Sequence, residues 1–142
     1  MNTETVHPSD EQLKSLAGSV PEGVTVLMLN LLKFREAAVY PEDLGEAPCT
    51  GREAYTRYAR AIKPLLSAVG GKLVLAGSAA AVVIGPDSCD WDSALVVRYP
   101  DTAAFFRMIR SESYAAALHH RTAAVADSRL IALQPDNQHG PL

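Results

Sequence analysis

The stretch Val24–Phe34, VTVLMLNLLKF, contains eight apolar side chains, one amide and one lysine, and it follows Pro21 and Gly23. Its apolar residues fall on both faces of the strand that the pattern predicts. A strand that is apolar on both faces is covered on both sides, so we expect this one to lie in the centre of its sheet. Asn30 is the one amide, and it interrupts the even-numbered face.

Bulk composition limits the class of protein. The chain has 142 residues, 48% of them apolar and 20% charged, which is typical of a single soluble globular domain. The net charge is −3 and there is no basic cluster, so no nucleic-acid partner is expected. No apolar run approaches the roughly 20 residues that cross a membrane, and no secretory signal is visible. We therefore predict a cytoplasmic protein, with free thiols at Cys49 and Cys89.

Capping and breaking residues divide the single domain into an N-terminal extension, a core and a tail, at residues 1–23, 24–133 and 134–142. In the extension, Ser9–Gln12 has the form of a capping box and predicts a short helix. The residues before it, Met1–His7, are expected to lie free of the fold.

The longest predicted helix begins at a second capping box, Thr50–Glu53. The preceding segment, residues 35–49, has no apolar period, and loops of this length are often lids or binding loops. A loosely packed surface loop is the equal alternative. Further patterns predict strands at Lys72–Gly85 (with a bulge or a bend at Gly77), Trp91–Tyr99 and Arg129–Leu133. They also predict a broken helix with pieces that begin after Asp101 and near Tyr114.

This order of elements is that of two β-α-β units. Right-handed crossovers then give an α+β, ferredoxin-like βαββαβ sandwich: a four-stranded antiparallel sheet with its helices on one face. The other sheet face is also apolar, and a monomer rarely exposes so large a patch. We therefore predict a homodimer in which two sheets pack face to face.

Several blocks together, LNLLKF, TGREAYTRYARAIKPLL, VGGKLVLAG, WDSALVVRYPD and SESYAAALHHR, resemble a bacterial family, the domain of unknown function 1330 in its longer form. The resemblance covers residues 24–133. It implies a dimeric α/β barrel with a pocket between sheet and helices, and it implies no settled activity. Relatives in that superfamily include cofactor-free monooxygenases of aromatic polyketides, haem-degrading enzymes, muconolactone isomerase and chlorite dismutase.

Arg121 is the most informative candidate site residue. It shares a helical stripe with Tyr114, Leu118 and Val125, and this places its guanidinium on the buried side of the helix. A buried guanidinium needs a carboxylate or an anionic ligand. The sequence does not decide between these two kinds of partner. The internal carboxylates that could pair with Arg121 are Asp92, Glu53 and Asp127.

His120 and Asn30 are the other candidate catalytic residues. A neutral imidazole at His120 can act as a general base, although a surface histidine with local hydrogen bonds fits the same pattern. A buried amide at Asn30 must be hydrogen-bonded, so it either holds a loop or orients a ligand. Metal binding by His119 and His120 is not expected, because neighbouring side chains diverge on a helix and no ligand spacing supports them.

Aromatic residues and one more arginine complete the predicted site. Tyr55, Tyr58 and Trp91 line either a substrate pocket or the core, Tyr114 joins them, and Arg98 lies at the rim. No phosphate-binding glycine pattern occurs, so no cofactor is expected. The sequence favours a small-molecule-binding protein that acts as a cofactor-independent isomerase, cyclase or monooxygenase on an aromatic or carboxylate-bearing substrate. A non-catalytic ligand-binding or interaction module is the alternative.

Overall fold

A computed structural model describes residues 5–136, and within them no helix is long and apolar enough to cross a membrane. The strands are β1 (Val26–Phe34), β2 (Lys72–Ser78), β3 (Ser93–Tyr99) and β4 (Val125–Leu133). The helices are α1 (Asp10–Ser19), α2 (Gly51–Ala68), α3 (Thr102–Ile109) and α4 (Glu112–Ala124), and a 3₁₀ turn lies at Glu42–Leu44.

The four strands form one antiparallel sheet in the order β2-β3-β1-β4. β1 pairs with β3 on one side and β4 on the other, so the predicted central strand is confirmed. The ferredoxin-like α+β class is confirmed with it, since this strand order and the helical crossovers define that arrangement.

The even-numbered face of β1 carries the core. Val26, Met28 and Leu32 are buried there, and two clusters of buried side chains form around them. One cluster joins β1 and β3 to α3 through Phe105; the other joins β1 to α2 and α4. Leu95 packs against both clusters, so the apolar core between sheet and helices is continuous.

The opposite sheet face, here called the open face, is covered by none of the helices described. Its apolar side chains come from all four strands. They are Leu27, Leu29 and Leu31 on β1, Leu75 on β2, Ala94 and Val96 on β3, and Ile131 and Leu133 on β4. Those on β1 and β3 are half-buried, while Leu75, Ile131 and Leu133 are exposed.

The second strand is shorter than the sequence predicted. β2 ends at Ser78 rather than at Gly85, because β3 begins only at Ser93; beyond Ser78 one backbone bond, from the Ala79 amide to the Asp92 carbonyl at 2.9 Å, continues the pairing. Its register shift lies between Leu73 and Leu75 and not at Gly77, where a bulge or a bend was predicted.

The third strand begins two residues after Trp91. Asp92, just before the strand, bonds to β1. Its amide donates to the Leu32 carbonyl, and its carboxylate accepts from the Phe34 amide, both at 2.8 Å. β4, in contrast, begins at Val125, four residues before the predicted start, directly where α4 ends.

Side-chain caps set the helix starts as predicted. Reciprocal capping boxes form at Ser9 with Gln12 and at Thr50 with Glu53, and Asp101 caps α3. The second piece of the broken helix begins at Glu112 rather than near Tyr114, because the Ser111 hydroxyl caps it.

The expectation that Met1–His7 lies free of the fold was wrong for Thr5; residues 1–4 lie outside the described residues. The Thr5 amide donates to the Asp127 carboxylate at 2.8 Å, and the Ser128 hydroxyl donates to the Thr5 carbonyl at 2.8 Å. The chain before α1 is therefore bound to the start of β4.

Candidate functional site

Arg121 lies on the inner side of α4 and is only 8% exposed, as its place on the helical stripe predicted. Its Nη1 donates to the carbonyl oxygen of Val6 at 2.6 Å. The guanidinium therefore holds the N-terminal segment against α4, a contact that helical periodicity cannot reveal because Val6 belongs to no helix or strand.

None of the three carboxylates considered from the sequence pairs with Arg121. Asp127 bonds Arg129 at 2.8 Å, Asp92 accepts from the backbone of β1, and Glu53 is used in its helix cap. Within residues 5–136, no carboxylate oxygen lies within 4.0 Å of the Arg121 guanidinium. The internal ion pair that was one of the two alternatives therefore does not form with these three groups, because each carboxylate is bonded to another donor.

Three tyrosines from α2 and α4 pack against one another, and one of them, Tyr55, interacts directly with the Arg121 guanidinium. The rings of Tyr55 and Tyr58 are 5.3 Å apart, those of Tyr58 and Tyr114 are 6.2 Å apart, and the Tyr58 and Tyr114 hydroxyls are 3.0 Å apart. We call these three residues with Arg121 the tyrosine–arginine cluster. The structure thus brings Arg121 together with three tyrosines of the predicted site.

Burial disfavours ionisation of two phenols of the cluster, Tyr55 and Tyr58. It raises the pKa of Tyr55 to about 12, against a smaller opposing effect of the Arg121 charge, and it raises the pKa of Tyr58 well above its ordinary value. A neutral phenol donates a hydrogen bond, and a guanidinium donates several. The cluster is therefore a set of donors, which is complementary to an anion or a carbonyl oxygen.

Asn30 lies on the same side of the sheet as the cluster. It is 9% exposed and sits between Met28 and Leu32 on the face that the helices cover. Its register partners are Leu95 and Leu130, so it is a polar group in apolar surroundings. Its role as a ligand-orienting group stays a prediction.

Trp91 and Arg98 lie elsewhere. The Arg129 guanidinium covers the Trp91 ring at 5.1 Å, and Arg129 projects from the open face, as its register partner Leu31 does. Arg98 is exposed on that face opposite Leu27. Both residues are therefore separated from the tyrosine–arginine cluster by the sheet.

His120 is hydrogen-bonded to the loop that precedes α2. Its Nδ1 lies 2.7 Å from the Tyr40 hydroxyl, and burial, aided by neighbouring His119, lowers its pKa. The role of His120 as a general base stays a prediction. The same loop places Glu46 Oε1 3.2 Å from His119 Nε2, and Arg57 Nη1 3.7 Å from Glu46 Oε2.

We call these five residues, Tyr40, Glu46, Arg57, His119 and His120, the loop cluster. The sequence patterns did not identify Tyr40, Glu46 or Arg57 as site residues. Tyr40 and Glu46 lie in a loop, and Arg57 lies on an outer face of α2. The available signal was the length of the 35–49 segment, which was typical of a binding loop.

Titration of the tyrosines tests the burial described above. The chain has five tyrosines, and we expect Tyr55, Tyr58 and Tyr99 to ionise later than free phenol, whose pKa is about 10. Their folded pKa is raised, so the stability that they contribute is complete below pH about 10 and is lost as pH rises towards their folded values. Ultraviolet absorbance of tyrosinate measures this, and Tyr55→Phe should remove one late phenol. Ionisation of all five near pH 10 in the folded protein would contradict it.

Two kinds of comparison place the chain among known proteins. The model of the family described as domain of unknown function (DUF1330) matches residues 44–134. A crystal structure of a protein of unknown function from Rhodopseudomonas palustris is 39% identical, with 95% of this chain and 99% of that chain covered and a TM-score of 0.86. A methylated form of that protein gives a TM-score of 0.87 at the same identity, with 96% and 98% covered. Comparison with curated proteins found no match.

More distant structures share only the fold. A hydroxynitrile lyase from Passiflora edulis is 8% identical, with 84% of this chain and 99% of that chain covered and a TM-score of 0.55. A ferredoxin-like protein of the DABB family from Mesorhizobium loti is 16% identical, with 80% and 98% covered and a TM-score of 0.51.

Proposed function

Because the chain belongs to the family of domain of unknown function 1330, whose name assigns no activity, we propose its function from the site itself. The protein binds a small aromatic or carboxylate-bearing molecule between its sheet and its helices, and Arg121 is the anchor for the anionic group.

The observation that carries this proposal is the environment of Arg121. Arg121 is 8% exposed, and its contacts in the described residues are neutral groups, the Val6 carbonyl and the Tyr55 phenol. Taking a charged group out of water costs several kcal/mol unless an opposite charge accompanies it. A ligand carboxylate supplies that charge, and it matches the planar fork of a guanidinium.

The rest of the cluster suits an aromatic ligand. Tyr55, Tyr58 and Tyr114 offer ring surfaces and hydroxyl groups, and Asn30 adds an amide on the sheet side. Aromatic rings at such sites favour tilted or edge-to-face packing against a ligand ring. Binding is the part of the predicted function that these contacts support, since the Nδ1 of His120 is bonded to Tyr40 and not to a member of the cluster.

Benzoate is a simple probe of this site. We expect Arg121→Ala to weaken benzoate binding at least ~30-fold, because it removes one partner of a buried charge pair, which typically costs about 2 kcal/mol or more. Arg60→Ala is the matched control, since Arg60 is exposed on α2 and outside the cluster. Calorimetric titration of the three proteins gives the affinities.

The alternative, a purely structural Arg121, is tested with the same variants. If its only role is to bond Val6, Arg121→Ala lowers the free energy of unfolding by about 1.5–3 kcal/mol, the usual worth of a hydrogen bond to a charged group. Benzoate binding is then the same in wild type and variant. That result, together with native mass spectra in which no small molecule accompanies the purified protein, would overturn the proposal.

We further propose that the protein is a homodimer formed through the open face. The support is the continuous apolar surface of four strands, including exposed Ile131 and Leu133. Two such faces packed about 10 Å apart form the interior of a barrel.

A further inference from the structure

We propose that Glu46, His119 and His120 form a binding site for one divalent transition-metal ion of the zinc type, which joins the 35–49 loop to α4. Each residue offers one ligand atom, and these atoms lie within 4.8 Å of one another. This site is separate from the proposed function of the tyrosine–arginine cluster and does not depend on it.

The two histidines converge, against the expectation from the helix. Their ring centroids are 4.0 Å apart and the planes are tilted by 37°. The sequence argument against a metal was that neighbouring side chains diverge. In the structure both rings pack against Tyr40 of the loop, whose ring centroid is 5.9 Å from that of His119 and 5.6 Å from that of His120.

The distances suit a small coordination sphere. Zinc binds imidazole nitrogen at ~2.0–2.1 Å and carboxylate oxygen at ~2.0–2.2 Å, so tetrahedral ligand atoms lie roughly 3.3 Å apart. His119 Nε2 and Glu46 Oε1 are already 3.2 Å apart. The other ligand pairs are within 4.8 Å, so each pair must close by at most about 1.5 Å to reach this spacing.

The surrounding groups match those of known metal sites. When the Nδ1–H of His120 donates to the Tyr40 hydroxyl oxygen, the lone pair of Nε2 is left for an ion, and metal-binding histidines commonly donate the hydrogen of their other ring nitrogen in this way. Arg57 approaches Glu46 Oε2 at 3.7 Å, which leaves Oε1 for the ion. Two imidazoles and one carboxylate select zinc or its neighbours over magnesium or calcium, and three protein ligands leave one position open.

The test is titration of the full-length protein with Zn²⁺ by calorimetry and with Co²⁺ by visible absorption. Wild type should bind one ion per chain and gain thermal stability. His119→Ala and Glu46→Gln should each weaken binding by at least ~100-fold, and Tyr40→Phe by about 10- to 100-fold, the range found for outer partners of metal ligands. Far-ultraviolet circular dichroism confirms that each variant is folded.

Matched controls separate this site from adventitious binding. Glu42→Gln removes a carboxylate from the same loop, and His7→Ala removes an exposed imidazole outside the three-residue group. Both should bind the ions as wild type does. The proposal is overturned if wild type binds no ion, if Glu46→Gln keeps wild-type affinity, or if the controls lose affinity equally.

Discussion

Gly51→Ala is expected to lower the free energy of unfolding by more than ~4 kcal/mol, a loss that is exceptional for one substitution. A methyl group at Gly51 would lie 2.1 Å from the Arg35 carbonyl oxygen, 2.7 Å from that of Ala124 and 2.8 Å from the Arg35 nitrogen. All three atoms belong to the backbone, so no side-chain rotation relieves the overlap. The Gly51 amide also donates to the Arg35 carbonyl at 3.1 Å. This is the point where the ends of β1, α2 and α4 meet.

Urea unfolding followed by circular dichroism measures this loss, and Gly18→Ala is its control. Gly18 lies inside α1, and a methyl group there would meet no atom within 4 Å beyond its chain neighbours and the backbone of its own helix. Alanine at this position should therefore add about 0.5–1 kcal/mol through helix propensity. A Gly51→Ala protein within ~1 kcal/mol of wild type would show that the α2 start can shift away from the backbone of Arg35.

Leu29→Glu is expected to convert the proposed homodimer to monomer. Leu29 is half-buried in the middle of the open face, with Val96 and Ile131 as its register partners. Two-fold symmetry places the new carboxylate in the interface twice, and each buried unpaired charge costs several kcal/mol. The dimer dissociation constant should therefore rise by at least ~1000-fold.

Sedimentation equilibrium over a range of concentrations gives this constant. Leu44→Glu is the matched control, because Leu44 is an exposed leucine in the 3₁₀ turn and lies outside the sheet. It should leave the dimer unchanged. A wild-type protein that is monomeric throughout, or a Leu29→Glu protein as dimeric as wild type, would show that the open face is not the interface.

Local signals were the reliable ones in the sequence. A capping box such as Thr50 with Glu53 depends on side chains three residues apart, so spacing alone predicts it. The two-sided apolarity of β1 likewise identified the centre of the sheet. These features predicted the fold because each depends on residues within one element.

The predictions that were wrong or absent concern contacts between residues that are far apart in the sequence. Residues Ala79–Gly85 look like a strand, yet β3 has no residues opposite them, and Val83 and Ile84 are 92% and 96% exposed. The burial of Arg121 followed from its helical stripe, whereas its bond to Val6 did not. The loop cluster was missed for the same reason, since it joins Glu46 to histidines more than seventy positions later.

The strand order also has a consequence for synthesis of the chain. β1 is made early, but its neighbours in the sheet, β3 and β4, begin only at Ser93 and Val125. β1 therefore cannot pair along both of its edges until most of the chain has left the ribosome. Such long-range pairing is slow to form and exposes the nascent chain to aggregation. A chain whose translation ended before β4 would have a central strand with an unpaired edge, a form that chaperones and proteases recognise.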